Sequence, residues 1–415
     1  MNFKQFNKIK NLDISKQILF ENIHSNKNFS PSLGQLIASL FLLLLSIIGI
    51  FISKIRRLKK IHYFILPINS NFPYNDKRSE QIFSKIKKTQ TVNLVKSISL
   101  RKSLLFFLRH PNTIFFYSLF DIILYVKYRH SVSKKINFIN FHKSYYLYKL
   151  ILKKIFKFLK IKKLITIDDH RTACFFQEIG HEINMTTIAY MHGKFNKHQI
   201  GLKLNTFDFY ILWDEFFKKQ LLRINKAYLK KSIIYIKHPN LKKIKFKKKR
   251  EPNLKILYVY EEKLNFKKIY NYLSNLSKEK NITLHIKLRK NSFIQKEFLN
   301  FAKKNKIELI YNSNLSSIFK KNYDFLFAHN STLLYESVFY NVTPVRIISK
   351  NLFKIDEVDD KFFLKLPLDN YKTLKLIKSF KKKYNIKKLK NVIWKFHESG
   401  FPKNNSKKLN EILLK

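Results

Sequence analysis

Short apolar runs alternate with helix-length amphipathic stretches along most of this chain, and the alternation restarts after a single interruption. The runs IHYFILPIN, INFINF, KLITI, TTIAYM, DFYILW and SIIYIKHP each end in, or lead directly into, Asn, Asp, His or Pro. Between them lie helical stretches such as YYLYKLILKKIFKFLK and the segment from Asp214 to Lys226. Strands that alternate with helices pair in parallel, because each crossover helix returns the chain to the same edge of the sheet. LKKIKFKKKREPN, residues 241–253, breaks the rhythm with dense charge and a proline, and reads as a linker. Beyond it KILYVYEE, ITLHIKLRK, IELIYN, YDFLFAHNS and TPVRII repeat the pattern. The expectation is an α/β protein with two doubly wound units, residues 61–240 and 253–370, preceded by a separate segment 1–60 and followed by a basic helical tail 371–415. The apolar stretch 103–126, interrupted by Arg109, His110, Pro111 and Asp121, is expected to form helices on the first sheet.

With 415 residues, 45% of them hydrophobic, the chain can bury a core in each unit. Cys174 is the only cysteine, which excludes an intrachain disulfide and a cysteine-rich zinc site and fits a reducing, cytoplasmic setting. The net charge of +56 attracts phosphates and anionic surfaces. Lys, Asn, Ile, Phe and Tyr are abundant together while Gly numbers 6 and Pro 9, the imprint of AT-rich coding, so charge alone assigns no partner.

Gly34 to Ser53, GQLIASLFLLLLSIIGIFIS, is uncharged and mostly apolar; as a helix it is roughly 30 Å long, the thickness of a hydrocarbon core. KIRRLKK follows at once and favours a cytoplasmic carboxyl side, although Lys4, Lys8, Lys10, Lys16 and Lys27 on the other flank blunt that asymmetry. A membrane-associated helix at the cytoplasmic face of the inner membrane is expected, either spanning or monotopic. As a segment outside both sheets, its removal is expected to leave them folded.

Chemistry concentrates in YDFLFAHNSTLLYESVFYNVTPVRII, residues 323–348. An apolar strand ends in His329, Asn330, Ser331 and Thr332, and a helix follows. Unpaired N–H groups at such a junction, with the two hydroxyls, suit a phosphate. Glu336 lies one turn deeper on the face of Thr332, placed for ribose hydroxyls. The competing reading is a helix cap with a solvated Glu336. Asn341 suits the left-handed conformation that closes a helix.

The order of apolar strand, Ser331–Thr332, Tyr335–Glu336–Ser337, a short turn and Pro344–Val345 resembles the nucleotide-binding stretch of GT-B glycosyltransferases, in particular bacterial enzymes of surface-polysaccharide synthesis and the CDP-glycerol glycerophosphotransferases. Across residues 160–350, TTIAYMHG resembles their strand ending in His192–Gly193, and IIYIKHPN the strand that closes the first domain, with His238 where a glycine is usual. HIKLRKN lacks the family's Lys-x-His-Pro, leaving Lys287, Arg289 and Lys290 as the cations near the donor phosphate. The resemblance implies two Rossmann-like domains facing a cleft, a nucleotide-sugar donor as substrate with no cofactor, and a glycan or lipid-linked acceptor.

An inverting sugar transfer needs a base for the acceptor hydroxyl and positive groups for the leaving phosphate. Candidates for the base are Asp168, Asp169 and His192, with His170 and Gly193 beside them. TIDDH is similar to the paired acidic motif of bacterial sialyltransferases, with His170 where Gly is usual. Asp168–Asp169 lacks the context of a GT-A metal motif, so a metal-independent site is expected. Zinc-protease, P-loop and dinucleotide motifs are missing from the sequence.

The sequence therefore points to a glycosyltransferase acting in surface-glycan synthesis. Alternatives are a polyol-phosphate transferase of the same fold, or a basic protein that binds nucleic acid or membrane without catalysis. The latter lacks any RNA- or DNA-reading module. No specific nucleic-acid partner is expected: filter binding should show weak, sequence-independent retention of DNA and RNA that falls steeply with salt. Tight binding of one sequence at physiological salt would favour the non-catalytic alternative.

Overall fold

The computed structural model describes residues 33–55, 62–65, 77–83, 86, 91–95, 100–115, 122, 138–167, 172–191, 193–195, 202–203, 206–241, 253–261, 266–288, 296–311, 314–329, 331–348, 363–380, 386–394 and 403–414. The first half contains α1 (Leu33–Ile55), β1 (His62–Ile65), α2 (Lys77–Phe83), β2 (Thr91–Val95), α3 (Leu100–Arg109), β3 (Thr113–Phe115), α4 (Phe138–Phe158), β4 (Lys163–Thr166), α5 (Thr172–Glu182), β5 (Thr186–Tyr190), β6 (Phe209–Leu212), α6 (Glu215–Ile224) and β7 (Ser232–Tyr235). Its strands form one sheet in the order β3-β2-β1-β4-β5-β6-β7. All pairs are parallel, for example Ile188 opposite Phe209.

The second half contains β8 (Leu254–Val259), α7 (Phe266–Ser277), β9 (Ile282–Lys287), α8 (Lys296–Lys304), β10 (Glu308–Ile310), α9 (Leu315–Phe319), β11 (Phe325–Ala328), α10 (Leu333–Phe339), β12 (Thr343–Ile348) and β13 (Leu364–Pro367). This sheet is also parallel, in the order β10-β9-β8-β11-β12-β13. In each sheet the order reverses beside the unit's first strand, β1 or β8, which opens a crevice at the carboxyl ends. Strands covered on both faces explain the unbroken apolar runs: every residue of KLIT in β4 and FLFA in β11 is buried.

Local differences from the sequence reading have physical causes. FINF, the last four residues of INFINF, opens α4 instead of forming a strand; the helix buries Tyr148, Leu152 and Phe156 at four-residue spacing. Tyr148 stacks on Phe175 and Phe156 on Phe176 of α5, while Lys149 pairs with Glu178 and Glu182. Segment 103–126 contributes β3 as well as the end of α3. TVNLV forms β2 around a buried Asn93 that masks its apolar character in the sequence. After β13 come α11 (Asn370–Phe380), which packs on β13 and α7, α12 (Ile386–Ile393), which packs on α10 and α6, and α13 (Lys403–Leu414), which returns to β7. Lys163 Nζ in the first sheet donates to the Ile412 carbonyl of α13 at 2.6 Å. The stretch read as a basic tail thus packs on both units.

α1, long and apolar enough to cross a membrane by length and composition, packs on β3 and α3. β3 is the edge strand of the sheet, and its Phe115 N–H donates to Ser46 Oγ of α1 at 2.9 Å. Open strand edges pair promiscuously, so α1 covers a liability. Removing it would uncover β3, contrary to the expectation that the sheets are indifferent to its loss. A Cβ on Gly49 would lie 2.3 Å from the Thr113 carbonyl oxygen and 3.0 Å from that of Pro111, so only glycine permits this approach. Alanine normally gains about 1 kcal/mol over glycine inside a helix, but forcing extra volume into a packed contact costs roughly 1–3 kcal/mol. Gly49→Ala should therefore lower stability in urea unfolding, by about 1 kcal/mol net; a stabilised variant would mean that α1 does not sit against β3.

Candidate functional site

The carboxyl ends of the two sheets meet. β5 leads through Met191 to Gly193, where an added Cβ would stand 2.8 Å from Thr332 Cγ2, just before α10. β7 leads to His238, whose Nε2 stands 3.5 Å from Glu336 Oε1 on α10. Tyr340, at the end of α10, donates its hydroxyl to the Asn240 carbonyl at 3.4 Å. Three contacts thus join the strand-end loops of the first unit to one short helix of the second.

His238 is only 2% exposed and Glu336 only 7%. The Asn240 N–H donates to His238 Nδ1 at 3.2 Å, so in the neutral ring the proton belongs on Nε2, the atom that faces Glu336. The ring lies edge-on to Trp213 at 4.1 Å between centroids and to Trp394 at 5.9 Å. Trp394 follows α12 and donates its Nε1–H to the Tyr335 carbonyl of α10 at 2.9 Å. These are the only two tryptophans in the chain, and both enclose His238. On the other side Trp213 Nε1 donates to Tyr190 Oη, and Tyr190 donates in turn to Gln81 Oε1 of α2. Gln81 also reaches the Lys237 carbonyl, and Arg78 donates to the Met191 carbonyl at 3.2 Å. α2 therefore lies across the carboxyl ends of β5 and β7.

In the second unit His329 directly follows β11 and is buried. Its backbone N–H donates to Glu261, beyond β8, at 3.2 Å; its Nδ1 pairs with the Ile347 carbonyl at 2.8 Å; its own carbonyl accepts from Arg346 Nε at 3.1 Å. Ser331 Oγ accepts the Leu333 N–H at 3.2 Å and so performs the capping that the sequence left open between binding and structure. Thr332 makes no side-chain capping bond. Lys287 ends β9, on the same edge of the sheet as His329, and its Nζ lies 3.4 Å from the Leu288 carbonyl. Asn341 closes α10 at φ 58°, the left-handed conformation expected of it.

Of the residues singled out in the sequence, Gly193, His238, Thr332 and Glu336 are brought together, with Ser331 and His329 on the adjoining turn and Lys287 on the same sheet edge. Asp168, Asp169, His170, His192, Arg289 and Asn330 lie outside the described residues, as does most of the linker. Trp213, Trp394, Glu261, Arg78 and Gln81 went unread; the scarcity of tryptophan was the available signal for the first two. Burial, reinforced by the neighbouring Glu215 charge, holds the Tyr235 hydroxyl at the end of β7 well above the usual phenol range, so it stays a donor to Glu215.

No family model matches the sequence, and no curated protein matches it. Solved structures match its architecture. A UDP-glucosyltransferase from Polygonum tinctorium, described as capable of glucosylating indoxyl and solved in complex with 3,4-dichloroaniline, is 8% identical, with a TM-score of 0.51 over 85% of this chain and 98% of its own. The fold is GT-B. Two further structures with lower scores are MurG of Acinetobacter baumannii, 10% identical with a TM-score of 0.49 over 86% of this chain and 100% of its own, and the lipopolysaccharide outer core galactosyltransferase WaaB, 14% identical with a TM-score of 0.47 over 86% and 99%. At such identities the likeness concerns the fold, with its two Rossmann-like domains and the cleft between them.

Within this GT-B chain the His238–Glu336 contact joins the domains. Replacing His238 by alanine strands a buried carboxylate, at a cost of roughly 3 kcal/mol. Glu336→Gln in the same chain removes the stranded charge, so the double variant should unfold at a higher urea concentration than His238→Ala alone. Additive losses would show that the two side chains do not interact.

Proposed function

We propose that this protein is a glycosyltransferase that moves a sugar from a nucleotide-activated donor to a surface-glycan acceptor, free or lipid-linked, at the cytoplasmic face of the inner membrane. The observation that carries the reading is the meeting of the two sheets' carboxyl ends, with Gly193 against Thr332 and His238 against Glu336. Ligands of open α/β sheets bind beyond the carboxyl ends of the strands, and here two such edges share one cleft. The resemblance of residues 323–348 to nucleotide-binding stretches supports placing the donor on the second domain.

In this reading Thr332 meets the donor phosphate with a hydroxyl that the helix does not use, beside Ser331 and Asn330. Glu336 takes the ribose hydroxyls, its charge held in place by His238. Lys287 and Arg289 face the leaving phosphate, where positive charge stabilises the transition state. Asp168, Asp169 and His192 are the candidate bases on the first domain, one of them accepting the acceptor hydroxyl's proton as the sugar carbon transfers. A polyol-phosphate transferase would use the same cleft with a CDP-linked donor.

Calorimetric titration with UDP-, GDP-, CMP- and CDP-linked donors tests the proposal. One donor should bind, and Glu336→Gln should weaken it by roughly 1–3 kcal/mol through loss of charge-assisted bonds. Thr332→Val should weaken binding of that donor while sparing the free nucleoside and the melting temperature, because Ser331 supplies the cap. If the parent binds none of the donors, or if both variants bind as the parent does, the glycosyltransferase reading fails.

A further inference from the structure

Helix α1 is bound to the first domain along one face and bare on the other. The buried stripe is Ser39, Leu42, Leu45, Ser46, Gly49 and Ser53, spaced by three and four, and it meets β3 and α3. The opposite face presents Leu40, Leu44, Ile48 and Phe51 to the outside. Leu105 and Leu108 of the adjoining α3 extend that apolar surface, and Phe158 at the end of α4 borders it. Lys54 marks the border: its Nζ lies 3.1 Å from the Phe158 carbonyl and 4.4 Å from the centre of the Phe158 ring.

Two observations decide what covers this face and how. The first is where α1 is attached. At 23 residues it is about 35 Å long, and its contacts with β3, through Ser46 and Gly49, fall beyond its midpoint but well inside it. A spanning helix would carry those contacts into the hydrocarbon, and with them the β3 backbone and the exposed guanidinium of Arg109, a charge that is costly there. The attachment is compatible with a bilayer only if the helix lies along its surface. The second observation is charge. The sequences of α1, α3 and α4 contain no carboxylate, while Arg101, Arg109, Lys154 and Lys157 are exposed around the apolar centre. An apolar centre with a cationic rim complements the acyl boundary and headgroups of an anionic bilayer.

We propose that α1 is an in-plane membrane helix, docked on an anionic lipid surface by its outer face while its inner face seals the sheet edge. Both ends of α1 then lie on the same side of the bilayer, and the membrane meets the first domain at the β3 edge of its sheet. The inference deepens the membrane-face location proposed above and rests on it, but it requires nothing of the donor site.

The full chain allows a direct test, because its only cysteine, Cys174, is buried and gives little background to thiol reagents. Leu33 is 64% exposed and Ile55 77%, one at each end of α1. Leu33→Cys and Ile55→Cys, each bound to sealed vesicles of phosphatidylglycerol and phosphatidylethanolamine, should both react with a membrane-impermeant maleimide without detergent. Reaction of either one only after detergent means that the helix spans, and overturns the proposal. The paired substitution Leu44→Glu with Ile48→Glu should lower the vesicle-bound fraction about ten-fold or more without lowering the melting temperature, since both side chains point away from the domain. Binding equal to the parent's would overturn the proposal, as would a parent that ignores these vesicles or binds phosphatidylcholine vesicles equally well. None of these readouts involves a donor. Failure here leaves the nucleotide titrations standing, and failure there leaves the lipid result standing.

Discussion

Two parallel sheets stand on separate stretches of chain, and the interface that makes one molecule of them contains a buried contact between a histidine and a carboxylate. Glu336 is almost wholly removed from water, a state that is costly for a charge without a partner. His238 supplies that partner from the other domain, with its proton directed by the Asn240 N–H. Trp213 and Trp394 pack against the His238 ring, and Trp394 reaches it only because α12 crosses back from the second domain to α6 of the first. α13 then lies on the first sheet, held at Lys163. Both the interdomain pair and the return of the carboxyl-terminal helices bring the same two strand edges together, and the proposed cleft lies along them.

The contact also joins the halves of the proposed chemistry. Thr332 stands just before a seven-residue helix and Glu336 lies one turn deeper, and each touches the first domain, through Gly193 and His238 respectively. A donor lodged against that helix would lie next to Gly193, in the loop after β5. At the far edge of the first sheet α1 plays a comparable double part: the small side chains that let it reach the β3 backbone leave its large ones facing outward. Sheet integrity and the proposed contact with lipid are thus properties of one helix.

Much of the fold could be read along the chain because buried parallel strands must be apolar throughout and crossover helices must carry one apolar stripe. β4, β5, β6, β8, β11 and β12 follow that rule, buried along most of their length, and the partly buried β7, β9 and β10 were anticipated with them. β2 and β3 were not, because Asn93 and the His110–Pro111 turn interrupt the apolar signal; their polar groups are satisfied by neighbours that the sequence does not reveal, Asn93 N–H by the Asn112 carbonyl among them. The scarcity of glycine was legible too, and its consequence was read at Asn341 but not at the other helix ends. Lys160, Asn184, Lys306, Asn322 and Asn341, with φ between 53° and 58°, end helices where glycine is usual.

The sequence by itself determined the two parallel units, the strand-to-helix junction at residues 328–336 and the apolar length of α1, because each is a pattern within a few turns of chain. Only the tertiary structure decided that His238 faces Glu336, that Gly193 touches Thr332 and that Ser331 rather than Thr332 caps α10. It alone showed α1 fastened to β3 at Ser46 and Gly49, which turns a stretch long enough to span a bilayer into the wall of a domain. Local periodicity reports which face of an element is apolar. Which surface that face meets depends on residues far away in the chain, and a single sequence carries no record of their distance in space.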